Sequence, residues 1–188
     1  MPRITETTVT DHRAVQHRAV LEAAERLIVA GGGKVPSLAE VAAEVGLARP
    51  SVYRYVSSQD DLMVQLLVLN SDTWHDQLED KVKSAPSEAK DRVCAYVDAM
   101  LDLFAHGTHG PLMAAAQQFP EAFAEEKVQK SHAGFKEIVD SFCPGVSSID
   151  IGLLNAAVVR ASETAKTPKD LERATATLHR MARAIVAG

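Results

Sequence analysis

The sequence predicts an all-α protein in two parts, a small N-terminal helix-turn-helix module followed by a larger helical body. Three observations predict it. Apolar residues recur at spacings of three and four along most of the chain, and no stretch alternates with the period of two that a strand needs. Alanine is abundant and aromatics are only 5% of residues, a composition that favours close-packed helices. Short Gly- and Pro-containing breakers punctuate the chain, and neither internal repeats nor low-complexity tracts occur. With 46% hydrophobic residues over 188 positions, the chain builds a real core and is not globally disordered.

The first helix is expected over 11–30, with Val20, Ala24, Leu27 and Ile28 at helical spacing and Gly31 and Gly32 ending it. Ser37 and Glu40 then form a Ser-x-x-Glu capping box that starts a second helix. Leu38, Val41, Ala42 and Val45 give it one short apolar face. Gly46 stands where a helix end uses a left-handed residue. Arg49-Pro50 opens a third helix, with Pro50 in the first turn, where a missing N–H costs little. Val52 and Val56 face back toward the second helix, which leaves Arg49, Ser51, Tyr53, Arg54 and Tyr55 for the remaining surface. Such a package is a helix-turn-helix, whose second helix can enter a DNA major groove. An ordinary helical hairpin with a glycine turn is the alternative. The brevity of the second helix and its outward Arg and Tyr argue against it.

The fourth helix is expected from 58 or 59 to about 83, where Ala85-Pro86-Ser87 breaks it. Further helices are expected over 87–106, 112–118 and 120–142, with the loop His106-Gly-Thr-His-Gly-Pro and the breaker Cys143-Pro-Gly-Val between or after them. The last two helices run over 148–166 and from Pro168 to about 186. In the first of these, Ile151, Leu153, Leu154, Ala156, Ala157, Val158, Val159 and Ala161 cover nearly the whole circumference. A helix apolar all round must be buried all round. Packing one side on the core and the other on a second copy achieves that, so a homodimer through the last two helices is expected.

These residues carry a resemblance. Arg18-Ala19-Val20-Leu21-x-Ala23-Ala24-x-x-Leu27-Ile28, Ser37-x-x-x-Val41-Ala42-x-x-x-Gly46-Leu47, Ser51-Val52-Tyr53-Arg54-Tyr55-Val56 and Asp60-Asp61-Leu62 are similar to the first four helices of the TetR family of bacterial transcriptional repressors. The detailed resemblance covers residues 12–68, and beyond it only length and helical character agree. It implies an N-terminal DNA-binding domain over 1–57 and a C-terminal effector-binding and dimerisation domain over 58–188. The implied function is a repressor that releases a palindromic DNA operator when a small effector binds. Four positions depart from the family pattern: Ala48 replaces a capping Ser or Thr, Pro50 a small residue, Val56 a Phe, and Gln59 a phosphate-contacting Lys. Candidate DNA contacts are therefore Arg49, Ser51, Tyr53, Arg54 and Tyr55, with Ser37 and Gln59 at neighbouring helix starts. Gln59 offers a hydrogen bond where the family's lysine offers a charge.

Charge and chemistry narrow the alternatives. The net charge is −5, yet residues 1–60 hold seven basic and seven acidic side chains, so the acidity lies in the body. A neutral module on an acidic body suits selected DNA sites rather than DNA coating. Arg3 and Arg13, on a polar N-terminal arm, are further candidates for DNA contact. Cys94 and Cys143 carry no disulfide pattern. No apolar run reaches the roughly 18 residues of a membrane span, and the N-terminus is not a signal peptide; a cytoplasmic protein without membrane partners is expected. His106-x-x-His109, His75 and His132 lack accompanying ligands, so no metal is expected. Gly31-Gly-Gly-Lys34 lacks the ending of a phosphate loop. No nucleophile elbow or acid pair supports an enzyme, and no cofactor is implied. In the resembled family the effector lies among helices four to seven. Asn70, Trp74, Met100, Phe104, His109, Met113, Phe119 and Phe123, with Phe135, are the candidate ligand-binding residues there. No Arg or Lys clearly accompanies them, so a small apolar effector, neutral or cationic, is expected. The rival readings are an activator or architectural DNA-binding protein that uses no effector and, with less support, an all-helical enzyme.

Overall fold

A computed structural model describes residues 6–144 and 146–187. Arg3 and the side chains of His132 and Phe135 lie outside the described residues. The described elements are ten helices: α1 (Glu6–Ala30), α2 (Leu38–Glu44), α3 (Arg49–Val52), α4 (Gln59–Ser84), α5 (Ala89–Ala105), α6 (His109–Ala116), α7 (Pro120–Ala124), α8 (Glu126–Phe142), α9 (Ser148–Thr164) and α10 (Pro168–Ala187). The fold is all-α, as the periodicity predicts.

Two boundaries differ from expectation. The helix expected over 120–142 is broken at Glu125, whose backbone is extended (ψ 129°), and α8 restarts behind it. The sequence there carries no Gly or Pro to announce the break. Helix α6 begins at His109 rather than 112. Pro111 is tolerated in its first turn because the N–H it lacks would have had no helical partner. Gly110 permits that early start: a Cβ there would lie 2.4 Å from the Phe104 carbonyl oxygen.

The chain divides into two compact units, one of residues through Val68 with Pro111–Val128, the other of Leu69–Gly110 with residues from Gln129 onward. The expected boundary at 57/58 thus falls inside the first unit, because the opening turns of α4 and most of α6 and α7 join it. Periodicity shows which face of a helix is apolar; it does not show which distant helix covers that face.

In the first unit α1 packs on α2 and α2 on α3. Val20, Ile28, Val41 and Val52 are fully buried, and Ala42 and Val56 nearly so. Each such Val or Ile burial contributes about 1.5–3 kcal/mol before the entropy of ordering is subtracted. In the second unit α5, α9 and α10 pack on one another. Val97, Leu154, Val158 and Ala182 are fully buried at that junction. Cys94 and Cys143 are free thiols, both buried, and burial pushes both above the usual thiol range.

Helix α9 is not buried all round within the chain. Its Leu154 and Val158 are core, whereas Ile149 is 71% and Leu153 62% exposed. Helices α5 and α10 pack on it. The opposite stripe, with Gly152 and Ala156 between and beyond the two large side chains, faces solvent.

Candidate functional site

The recognition segment is built from its caps inward. Ser37 accepts from the Glu40 N–H at 3.2 Å, and the Glu40 carboxylate accepts from the Ser37 N–H and hydroxyl, both at 2.7 Å. The Ser37 hydroxyl and backbone bonds hold the Glu40 carboxyl below the usual carboxylate range. Ser37, a candidate DNA contact, therefore has its hydroxyl engaged in both directions by the cap. At the other end of α2, Gly46 has φ +68°, its N–H bonds the Ala43 carbonyl at 3.1 Å, and the Leu47 N–H bonds that of Ala42 at 2.8 Å. This is a Schellman closure, and it fixes the turn into α3.

Ala48 gives α3 no side-chain cap, and Pro50 lies in its first turn. Regular helix ends at Val52, but Tyr53 stays in the helical region and the Val56 N–H bonds the Val52 carbonyl at 3.1 Å, so the segment through Val56 is helically wound. Burial of Val52 and Val56 turns Arg49, Tyr53 and Arg54 outward; Ser51 and Tyr55 are half-buried.

Tyr55 and Gln59 sit differently from the other candidate contacts. The Tyr55 ring stacks on His17, with centroids 6.1 Å apart and planes 17° from parallel. Its carbonyl accepts from Gln65 Nε2 at 3.1 Å, and the same nitrogen donates to Asp61 at 3.0 Å. Since the Gln65 nitrogen is the donor there, its oxygen accepts from His17 Nε2, which assigns the proton to that ring nitrogen. Burial pushes the Asp61 carboxyl up, but hydrogen bonds from the Ser57 N–H, Gln65 and the Ser57 hydroxyl outweigh it and leave the carboxyl below the usual range. Gln59, expected to donate to a phosphate, instead donates to the Pro36 carbonyl at 2.9 Å and ties the start of α4 to the segment before α2. A lone carbonyl near a primary amide is a better partner than solvent.

Charge on this unit is unevenly compensated. Arg18 pairs with Glu22 at 2.9 Å and Arg26 with Glu44 at 3.6 Å. Arg13, Arg49 and Arg54 have no carboxylate partner among the described residues, and Arg54 donates to the Ser51 hydroxyl at 3.4 Å. Arg13 and Arg54 line one cleft of about 340 Å³ with His17, Tyr55 and Gln65. Such guanidinium groups suit bidentate contact with phosphates or guanine edges.

The candidate ligand residues fall in both units. Asn70, Trp74, Met100, Phe104 and His109 belong to the second, and Met113, Phe119 and Phe123 to the first. Asn70, Trp74, Met100 and His109 are buried; the other four are half-buried. Trp74 and Phe104 both meet His109 edge-on, at 4.2 and 4.4 Å between centroids. These rings close on one another, because edge-to-face contact is itself favourable. A cavity of about 420 Å³ lies elsewhere in the second unit, lined by Tyr96, Val139, Asp140, Val146, Ser148, Ile151, Gly152 and Asn155. None of the eight candidates lines it. A wider groove of about 570 Å³ is lined mainly by polar and charged groups, Gln77, Asp80, Lys81, Ser84 and Asp102 among them, which does not suit an apolar molecule. Among the described residues no three His, Cys, Asp or Glu side chains are placed to hold a metal, and no described helix is long and apolar enough to cross a membrane.

Residues 20–66 match the family model of the bacterial regulatory proteins, tetR family. The N-terminal module belongs to the TetR family. The matched span contains α2, α3 and the whole recognition segment. Solved structures share the fold. Reduced NemR of E. coli is 20% identical, with 88% of this chain and 96% of that chain covered at a TM-score of 0.68. The fatty acid degradation regulator FadR of Bacillus halodurans is 16% identical, covering 88% and 97% at 0.64. FadR of Bacillus subtilis, solved in complex with stearoyl-CoA, is 17% identical, covering 91% and 98% at 0.61. A search of curated protein sequences returned no match.

Outside the TetR-family module, the cavity residues went unread in the sequence. Their signal was there: Gly152 and Asn155 are the small and the polar interruptions in the apolar run of α9. Tyr96 ties α5 to that run, its hydroxyl donating to Asn155 Oδ1 at 2.8 Å. Burial pushes the Tyr96 phenol up to about 12 from 10.0. An acid whose folded pKa is raised stabilises the fold below its unfolded pKa, and that contribution is lost as pH rises through the folded one. Stability should therefore drop between about pH 10 and 12, by an amount on the order of 2 kcal/mol. Tyr96→Phe should remove that component of the alkaline loss. Denaturant midpoints for both proteins across this range measure it, and equal losses would show that other groups are responsible.

Proposed function

We propose that this TetR-family chain is a ligand-responsive transcriptional repressor that binds a palindromic operator as a homodimer in the cytoplasm. The observation that carries the reading is the outward trio Arg49, Tyr53 and Arg54 on a helix-turn-helix, with both arginines lacking a carboxylate partner among the described residues. One short recognition helix reads too few base pairs for a selective site, so two copies are needed. The solvent-facing stripe of α9, with Ile149 and Leu153, supplies a surface for the second copy, and the half-exposed Met181 of α10 adds to the apolar surface of this unit. A two-fold axis buries the same patch on both partners. The stearoyl-CoA complex of one structural relative, and the ketosteroid regulator KstR2 of Mycobacterium tuberculosis among the others, support a small organic effector. An effector that fits only one spacing of the two recognition helices shifts the population away from DNA.

Selection from a random duplex pool by the full-length protein tests this reading. The enriched sequence should be an inverted repeat, its half-sites about one helical turn or a multiple apart, bound by an even number of chains. Placed downstream of a promoter, it should lower reporter output when the protein is expressed. Enrichment of no sequence, or of a single asymmetric half-site bound by one chain, would overturn it.

A further inference from the structure

We propose that the cavity lined by Tyr96, Val139, Asp140, Ile151, Gly152 and Asn155 is the effector site, and that it takes a largely apolar molecule with a hydrogen-bond acceptor seated on the Asn155 carboxamide. This rests on the effector-responsive reading above and adds to it a location and a ligand class. The volume of about 420 Å³ lies within the range of small-molecule sites. Val139, Val146 and Ile151 give apolar walls. Asn155 gives direction. Its Oδ1 already accepts from the Tyr96 hydroxyl, so its Nδ2 hydrogens are what remain for a ligand. Buried Tyr96 stays protonated at any physiological pH, which keeps the carboxamide in that orientation.

Hydrogen bonding selects the class. A ketone, lactone or ether oxygen meets the Asn155 donors, and its apolar body meets Val139, Val146 and Ile151.

The helix geometry links this site to the switch. At 100° per residue, α9 carries three adjoining stripes. Leu154 and Val158 face the core, Ser148, Ile151 and Asn155 line the cavity, and Ile149, Leu153 and Ala156 face solvent. Gly152 sits between the second and third stripes, and a Cβ built there meets nothing within 4 Å. A ligand in the cavity therefore lies beside the surface assigned to the second copy, where a small rotation of α9 changes how the two copies meet.

The test uses the full-length protein and 6-propionyl-2-(dimethylamino)naphthalene, a neutral fluorescent ketone whose emission shifts on leaving water. Wild type should bind it saturably, and 2-ethylnaphthalene, which lacks the acceptor, should compete at least about tenfold less well than the corresponding methyl ketone. Gly152→Leu fills the cavity without backbone strain. Asn155→Asp keeps the acceptor for Tyr96 but removes the donors. Each should weaken dye binding about tenfold or more with melting temperature kept, and Asn155→Asp, which lies off the stripe assigned to the second copy, should keep the particle mass as well. Phe104→Leu, in the separate aromatic cluster, should leave binding unchanged. Absence of saturable dye binding to wild type, wild-type affinity in both cavity variants, or weakening confined to Phe104→Leu would overturn the assignment. Operator binding and mass are measured on the same samples. If wild type binds operator as a dimer while the dye results fail, the cavity assignment alone falls; if wild type binds no DNA, the regulator reading falls.

Discussion

Leu153→Asp should yield a folded monomer that no longer holds its operator. Leu153 is 62% exposed in the single chain and Ile149, one turn earlier, 71%. A charge placed there meets water in the monomer, so the fold is kept. In a dimer built on this stripe the same carboxylate lies inside the contact, twice over because of the two-fold axis. An uncompensated buried charge costs about 3–5 kcal/mol. Even one such term weakens the dimer by more than about a hundredfold. The contrast is Val158→Asp. Val158 is fully buried within its own unit, so a carboxylate there should unfold the second unit rather than separate two copies. Light scattering at micromolar protein, with circular dichroism on the same samples, separates the outcomes. A Leu153→Asp protein that stays dimeric with full operator affinity would move the interface elsewhere.

The contrast between Leu153 and Val158 marks how far the sequence reaches. The apolar character of α9 was plain from its composition, and so was the conclusion that one chain alone does not cover it. Which residues face inward depends on where α5 and α10 lie, and no local pattern carries that. The helix-turn-helix was legible almost atom by atom, because its determinants are local: a capping box within four residues, a left-handed glycine, a proline in a first turn. Breaks marked by Gly and Pro were placed within a few residues, whereas the one at Glu125 has no such marker. The candidate ligand residues show a related limit. Trp74, Phe104 and His109 meet edge-on in space, but no sequence pattern tells whether such rings fill volume or enclose it. The open space lies where a glycine and an asparagine interrupt an apolar helix, a signal that composition ranks below any tryptophan. Gln59 illustrates the same limit: its position at the start of α4 was readable, but the Pro36 carbonyl that captures its amide was not.

Arg49→Ala and Arg54→Ala should both weaken DNA binding, but in different ways. Arg49 occupies the first turn of α3, exposed and without a carboxylate partner among the described residues. Arg54 lies past the end of α3, lining a cleft with Arg13 and His17 and donating to Ser51. A guanidinium at the head of a recognition helix is placed to take a guanine edge, and one in a basic cleft to take a phosphate. Loss of Arg49 should then cost about 1–3 kcal/mol per half-site and relax preference at one base-pair position in each half. Loss of Arg54 should weaken all sequences about equally and make the salt dependence shallower by about one unit for each phosphate no longer neutralised. Tyr53, 49% exposed on the same segment, should lose specific binding when truncated to Ala, with helical content and dimer mass unchanged because its ring is not core. Binding isotherms on a panel of single-base operator variants, each at several salt concentrations, resolve these patterns. If Arg49→Ala weakens every variant equally, Arg49 is a phosphate contact. If neither arginine nor Tyr53 matters, α3 does not face the DNA.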